Sequence, residues 1–321
     1  MMFEQPDKSP DDLVDSVVYP TLEAAALPRP DRVSRVAEGV GNHVYFAGED
    51  LVVRVGTGTD GASFPSAVAV LQAAAPTVRV PEVLYADTSG RALRYPVMVL
   101  RRLRGTPLSR SWPDLDVASR VAALEQVTGE LEGLHAIAPA AVPGAGFPDP
   151  WWTSRVALID GELARHRDGG SFPAGWLDRM ARHLADHRDA LTDAPPPGVL
   201  HGDINWGNAL FDGDRLTGLI DLDDSHPGPA EEDAWGVLFA TELETKRWMP
   251  LARLRDLPGF DLSAPGVLAR YLIGEIEDIL LLLSGTLSWK TPEAAREDAF
   301  ETYREAFESE RIAHLLEAVA E

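Results

Sequence analysis

The spacing of apolar residues changes near residue 100, from the short alternations of strands to the longer period of helices. A helical pattern over residues 11–26 comes first. Between residues 32 and 55, Val33, Val36, Val40, Val44, Tyr45 and Phe46 supply β-type side chains, interrupted by Gly39 and Gly41. Gly48, Glu49 and Asp50 read as a turn, and residues 51–55 as a short apolar strand carrying Arg54. A helix over 63–75 follows, then strands over 79–86 and 95–100 around the polar turn Asp87-Thr88-Ser89-Gly90. Farther on, Val121, Leu124, Val127, Leu131 and Leu134 recur at helical spacing within 117–137, with Glu125, Glu130 and Glu132 between them. Helical character continues over 176–191. A β-rich island at 198–223 interrupts it, and helices over 264–283, 292–308 and 311–319 close the pattern. The reading is an α+β protein of two lobes: a strand-rich lobe over 1–103 and a mainly helical lobe over 104–321, with a cleft where they meet.

Composition narrows the function classes. With 45% hydrophobic and 25% charged residues, the chain is globular. It has no apolar run of membrane-spanning length and no basic-then-apolar N-terminal segment, so a cytoplasmic location without a membrane is expected. The absence of cysteine excludes disulfides, thiolate chemistry and Cys-ligated zinc. A net charge of −22 argues against nucleic-acid binding and favours a cationic small molecule, although an acidic surface also serves solubility. Positive charge rests almost wholly on arginine, since the only lysines are Lys8, Lys246 and Lys290.

The candidate chemistry sits in the β-rich island. Val199-Leu200-His201-Gly202-Asp203-Ile204-Asn205-Trp206-Gly207-Asn208-Ala209-Leu210-Phe211 leads through Asp212-Gly213-Asp214 to Leu219-Ile220-Asp221-Leu222-Asp223-Asp224. Two apolar strands flank a polar loop, and Asp203, Asn208 and Asp221 fall at one edge. Hard oxygen ligands of this kind suit Mg²⁺, which takes few protein ligands, and a further carboxylate nearby can accept a hydroxyl proton.

His-Gly-Asp, four residues, Asn, and then Ile-Asp on the following strand resemble the catalytic core of the aminoglycoside-phosphotransferase family, which has the protein-kinase-like fold. Four fixed positions match by chance on the order of once in several hundred chains of this length. The resemblance implies that Asp203 is the catalytic base, that Asn208 and Asp221 bind Mg²⁺, and that His201 is structural, holding the loop. Glu38-Gly39-Val40-Gly41-Asn42-His43-Val44-Tyr45 is similar to the family's glycine-containing loop, placing Gly39, Gly41 and Asn42 at the phosphates of ATP or GTP. Arg54 stands where the family places its phosphate-gripping cation. Residues 95–105 resemble the linker between lobes. This implies backbone contacts from Met98, Val99, Leu100 and Arg101 to the base, with Met98 or Val99 lining its pocket. The likeness extends from about residue 35 to 235. The resemblance also implies that Asp233, after Pro227-Gly228-Pro229, braces the catalytic loop by accepting hydrogen bonds.

The sequence departs from the family in two places. Residues 61–75 contain no acidic residue to pair with Arg54, and no acidic residue separates Gly228 from Pro229. Carboxylates gather in the region where this fold docks its acceptor. Asp223, Asp224, Glu275 and Asp278 are candidate substrate contacts, with Glu231, Glu232, Glu242, Glu244 and Glu277 nearby in sequence, although solvated helix faces have the same composition. Trp206, inside the catalytic loop, is an aromatic suited to stacking on a sugar or a cation. The leading expectation is therefore a kinase acting on a cationic natural product, an aminoglycoside or basic peptide antibiotic. A metabolic kinase for a sugar, amino alcohol or macrolide is the alternative within the fold. From other classes come a metal-dependent hydrolase built on His201, Asp203, Asp221 and His226, and a nucleotide-binding pseudokinase.

Overall fold

The computed structural model describes residues 13–36, 42–56, 64–170, 172–244, 266–284 and 291–309. Gly39, Gly41, the side chains of Glu242 and Glu244, and the helix expected over 311–319 lie outside that description. The chain divides into two compact units, Met1–Gly146 with His201–His226, and Phe147–Leu200 with Pro227–Glu321.

In the first unit, β1 (Val33–Arg35), β2 (Asn42–Ala47), β3 (Leu51–Gly56), β4 (Val83–Asp87) and β5 (Val97–Arg101) form an antiparallel sheet in the order β1-β2-β3-β5-β4. Its alternation creates two different faces. Tyr45, Val53, Val55, Val97 and Val99 turn toward Leu13, Val17, Val18 and Leu22, which come from a π-helical turn (Val14–Val18) running into α1 (Tyr19–Ala24). Arg54 pairs in register with Val44 and Met98, which puts these three on the opposite face. The helix α2 (Phe64–Ala74) follows β3.

The hairpin of β8 (Ala209–Asp212) and β9 (Arg215–Leu219) belongs to this unit because its hydrogen bonds lead there. β6 (Thr106–Pro107) pairs with β8, Leu219 N–H donates to Arg79 O at 2.8 Å, and Thr217 Oγ1 donates to Arg104 O at 2.6 Å. The short α3 (Leu108–Ser111) precedes α4 (Val117–His135), whose N-cap Asp116 accepts the Ser119 N–H. Leu124, Val127, Leu131 and Leu134 are buried at helical spacing on α4, and its Gln126 bonds both Asp214 O and Leu216 N–H of the hairpin.

The second unit is mainly helical: α5 (Trp152–Gly169), α6 (Ala174–Thr192), α7 (Glu231–Glu244), α8 (Val267–Ser284) and α9 (Pro292–Phe307), with the two-residue strands β7 (Gly198–Val199) and β10 (Pro227–Gly228) paired to each other. Its core joins Val156, Ile159 and Leu163 to Met180, Leu184, Ile273, Ile276 and Tyr303, and Trp176 stacks on Tyr303 with ring centroids 3.9 Å apart. Arg155 of α5 bonds Glu232 of α7 and Glu277 of α8, while Arg270 of α8 bonds Glu231 of α7. Two helices, α5 and α7, were absent from the expected elements. Gly161 and scattered charges thin the apolar face of α5 to Val156, Ile159 and Leu163, and α7 opens with three acids before its apolar turn. No helix among the described residues is long and apolar enough to cross a membrane.

Candidate active site

The loop from His201 to Asn208 is held by hydrogen bonds within itself and to the strand that follows β8. His201 is fully buried; Nε2 lies 3.0 Å from Ile220 O, and Nδ1 receives the Asp203 N–H at 3.3 Å. One nitrogen must donate and the other accept, so the ring is a neutral Nε2–H tautomer. That leaves no lone pair for a metal. The hydrolase cluster is thereby corrected, and among the described residues no group of three His, Cys, Asp or Glu is placed to hold a metal ion. Gly202 has φ +84°, and a Cβ there would run into the Asp224 carbonyl, so only glycine lets the loop lie against the turn at 222–224.

Asp203 stands at the exposed end of this loop, with Asn208 Nδ2 donating to its Oδ2 at 3.1 Å and to its carbonyl at 2.8 Å. Asn205, to which the sequence reading gave no role, donates to Asp203 Oδ1 at 3.2 Å and accepts the Gly207 N–H at 2.8 Å. The signal for it was local: an Asn two residues after Asp203 and two before a glycine makes an Asx turn. Partial burial raises the Asp203 pKa above the usual carboxylate value and the Asp221 charge adds to this, against the hydrogen bonds from Asn205 and Asn208.

Asp221 follows β9 in the left-handed region, φ 66° and ψ 59°, a conformation that strains a side-chain-bearing residue. The turn it begins puts Asp221 and Asp223 in different surroundings. Asp221 is half exposed and takes one contact from Arg54, Nη2 to Oδ1 at 3.2 Å. Asp223 is nearly buried. It accepts Arg54 Nη1 at 2.9 Å and Nη2 at 2.5 Å, one on each oxygen, and Asn42 Nδ2 at 2.8 Å. Burial raises its pKa despite the Arg54 charge, and burial followed by the charges of Asp203, Asp223 and Asp221 raises that of Asp224. Two hydrogen-bonded groups result, Asp203 with Asn205 and Asn208, and Arg54 with Asp221, Asp223 and Asn42, and the Asp221 charge acts on Asp203 between them.

Several other candidates are placed differently from the sequence reading. Asp223 is committed to Arg54 and Asn42 and has no free face for a substrate. Trp206 is 1% exposed, its ring 4.8 Å from that of Trp112, so it packs in the core and cannot stack on a ligand. Val99 lies on the face turned toward α1, away from Arg54, which leaves Met98 as the side chain beside Arg54. Moreover, β5 is an interior strand bonded to β3 and β4, and the N–H groups of Arg101 and Arg102 go to Glu82 O and Asp50 O. The backbone of Met98, Val99 and Leu100 is therefore paired inside the sheet, and at the end of β5 the N–H of Arg101 is already taken. Glu275 and Asp278 lie on α8, where Glu275 is half-buried and Asp278 exposed. Glu231, Glu232 and Glu277 are tied to arginines of their own unit. Asp233 is buried in the first turn of α7.

The donor set fits a hard divalent cation. Asn208 gives its amide N–H to Asp203, so its carbonyl oxygen is the atom left for a ligand, and Asp221 keeps an exposed carboxylate.

The family model described as "Phosphotransferase enzyme family" matches residues 32–267. Among solved structures, the fold is similar to a GDP complex of wild-type aminoglycoside 2'-phosphotransferase-IIIa (TM-score 0.68, 19% identity, covering 91% of this chain and 98% of that one). It is also similar to a choline/ethanolamine kinase family protein from Mesorhizobium loti (TM-score 0.61, 21% identity, 95% and 99% covered). Both likenesses extend to the kinase-like α+β fold, with its antiparallel sheet in the N-terminal region and its helical C-terminal part. A homoserine kinase of Sinorhizobium medicae (strain WSM419) is 30% identical over 151 residues, which is 46% of this chain and 40% of that protein.

Proposed function

This chain belongs to the phosphotransferase enzyme family, and from that premise we propose that it moves the γ-phosphoryl group of ATP or GTP onto a hydroxyl of a small cationic acceptor, with Asp203 as base. The observation that carries this reading is that the Asp203–Asn208 pair and the Asp221–Arg54 pair lie within reach of each other's charge although Arg54 comes more than a hundred residues upstream. Asp203 receives the proton of the acceptor hydroxyl as that oxygen bonds to phosphorus and the bond to the leaving nucleoside diphosphate breaks. Partial burial, by raising its pKa, makes it the stronger proton acceptor. Asn208 and Asn205 fix the carboxylate's direction, which is most of what phosphoryl transfer asks of a protein. Asn208 and Asp221 would hold Mg²⁺, which neutralises phosphate charge when bound. Arg54 grips phosphate oxygens and Asn42 borders them, with Gly39 and Gly41 of the preceding loop. Met98 flanks the base, whose edge is met by backbone where β5 ends, at Arg101. In this division of labour residues 1–103 serve the nucleotide and 104–321 the catalysis and the acceptor.

Support for a nucleotide comes from the GDP bound by one structural neighbour. Support for a cationic acceptor comes from chemistry common to the relatives: aminoglycosides, choline, ethanolamine and homoserine each join a hydroxyl to a positively charged nitrogen. A chain charge of −22, with Asp224, Glu275 and Asp278 as candidate contacts, suits such a molecule. We place an aminoglycoside or basic peptide antibiotic first, with resistance as its role in the cytoplasm. A metabolic amino alcohol is the second reading, favoured by the choline/ethanolamine and homoserine kinases. Phosphate transfer from labelled ATP and GTP across a panel of both acceptor classes tests this. Turnover with antibiotics alone supports the first reading, turnover with amino alcohols alone the second, and turnover with neither rejects the cationic acceptor.

A further inference from the structure

We infer that Asp223 is the positioning residue for Arg54, performing the task for which α2 carries no carboxylate, and that Asn42 in turn holds Asp223. The two acids two residues apart, Asp221 and Asp223, thereby do different work. The left-handed residue Asp221 and the turn at 222–224 leave the Asp221 side chain 49% exposed, while the Asp223 side chain is 13% exposed and that of Arg54 only 11%. A guanidinium so enclosed is costly without a counter-charge. Asp223 supplies it in the planar two-oxygen geometry that matches arginine, with the third bond from Asn42 fixing the carboxylate. Asp221 contributes a single, longer contact and keeps its exposed oxygen for a cation.

Donor accounting points the same way. An arginine has five N–H groups. Asp223 takes one from each Nη and Asp221 takes the second from Nη2, leaving one Nη1–H and the Nε–H. The Nε–H is buried and has no acceptor among the described residues. Asp223 thus fixes which N–H groups of Arg54 face its own carboxylate and which remain for phosphate.

The functional half of this inference rests on the nucleotide-binding reading of Arg54, and the experiment separates the two. Asp223→Asn, Arg54→Gln and the double variant are compared with the parent protein in metal-free buffer, reading affinity for ATP and GTP by titration and stability by urea unfolding. The expected result is that each single variant weakens metal-free nucleotide binding about tenfold, and that the double variant is no weaker than the worse single. If Asp223→Asn binds metal-free nucleotide as tightly as the parent, or more tightly, and loses only metal-dependent turnover, Asp223 is a metal ligand and the inference is overturned. If the parent itself binds no nucleotide, the nucleotide reading fails and the unfolding cycle decides the pair alone. Additive losses of stability then overturn the pairing and non-additive losses support it. Should either single variant fail to fold, Arg54→Lys and Asp223→Glu complete the same cycle.

Discussion

Both units enclose arginines beside carboxylates, yet their charge balance differs. In the helical unit Arg155 is shared by Glu232 and Glu277, and Arg270 bonds Glu231 and the Ala190 carbonyl, so that α5, α6, α7 and α8 are cross-linked. Burial works against the charge of Arg155, but the two glutamates outweigh it and push its pKa above the ordinary arginine value. In the first unit Arg54 meets Asp223 and Asp221 while Asp203 and Asp224 lie close by, and Asp203, Asp223 and Asp224 are raised first by burial and then by the Asp221 charge among others. Enclosure alone therefore does not mark a functional charge. The helical unit pairs its charges to fasten helices; the first unit leaves negative charge in excess around Arg54, a condition that suits the proposed proton acceptor and cation site.

The largest test of this contrast is Asp203→Asn. Turnover is expected to fall about 10²–10⁴-fold, with urea unfolding little changed or slightly more stable, because a like-charged, partly buried carboxylate has been removed. Next, Arg155→Ala leaves Glu232 and Glu277 without their cation, and unfolding free energy should drop by about 3–5 kcal/mol. A drop below 1 kcal/mol would show that the pair does not fasten the helices. Gly202→Ala is smaller: a positive φ and a backbone clash should cost about 1–3 kcal/mol and lower turnover through displacement of Asp203. Arg155→Ala does neither to Asp203 directly, so the two variants separate fastening from catalysis.

The smallest effect is in pH. Buried His166 and half-buried His183 have pKa values lowered chiefly by burial, so the folded state binds fewer protons than the unfolded one. Their contribution is present above the unfolded histidine pKa of about 6.5 and is lost as pH falls from there through the lowered folded values. Asp203, Asp223 and Asp224, raised chiefly by burial, act in the opposite sense. Their contribution is complete below the unfolded value near 4 and declines as pH rises through the raised values. Melting temperature followed from pH 4 to 8 should show both limbs. His183→Gln should flatten the acid limb only, and Asp203→Asn the other; a variant that flattens the opposite limb would reverse the assignment.

The candidate site was legible where its parts are close in the chain. His201 to Asn208 and Ile220-Asp221 lie within a loop and one hairpin, so residue type and spacing were enough to single them out. The strands carrying Arg54 and Met98, and α4, were legible from apolar alternation and helical period. The bases for misreading were equally physical. Trp206 gives the same letter whether its ring meets a ligand or Trp112, and β5 gives the same apolar run whether its backbone lies at an edge or in the middle of a sheet.

What the amino-acid order determined by itself was therefore the class of chemistry and the periodic elements, because both depend on neighbours a few residues apart. Tertiary structure alone decided that the partner of Arg54 is Asp223, 169 residues away, that Asp221 and Asp223 part company across one turn, and that the glutamates of α7 and α8 fasten helices. Those outcomes depend on which side chains folding brings within hydrogen-bonding distance and on how much water it removes from them, and neither quantity is a property of local sequence.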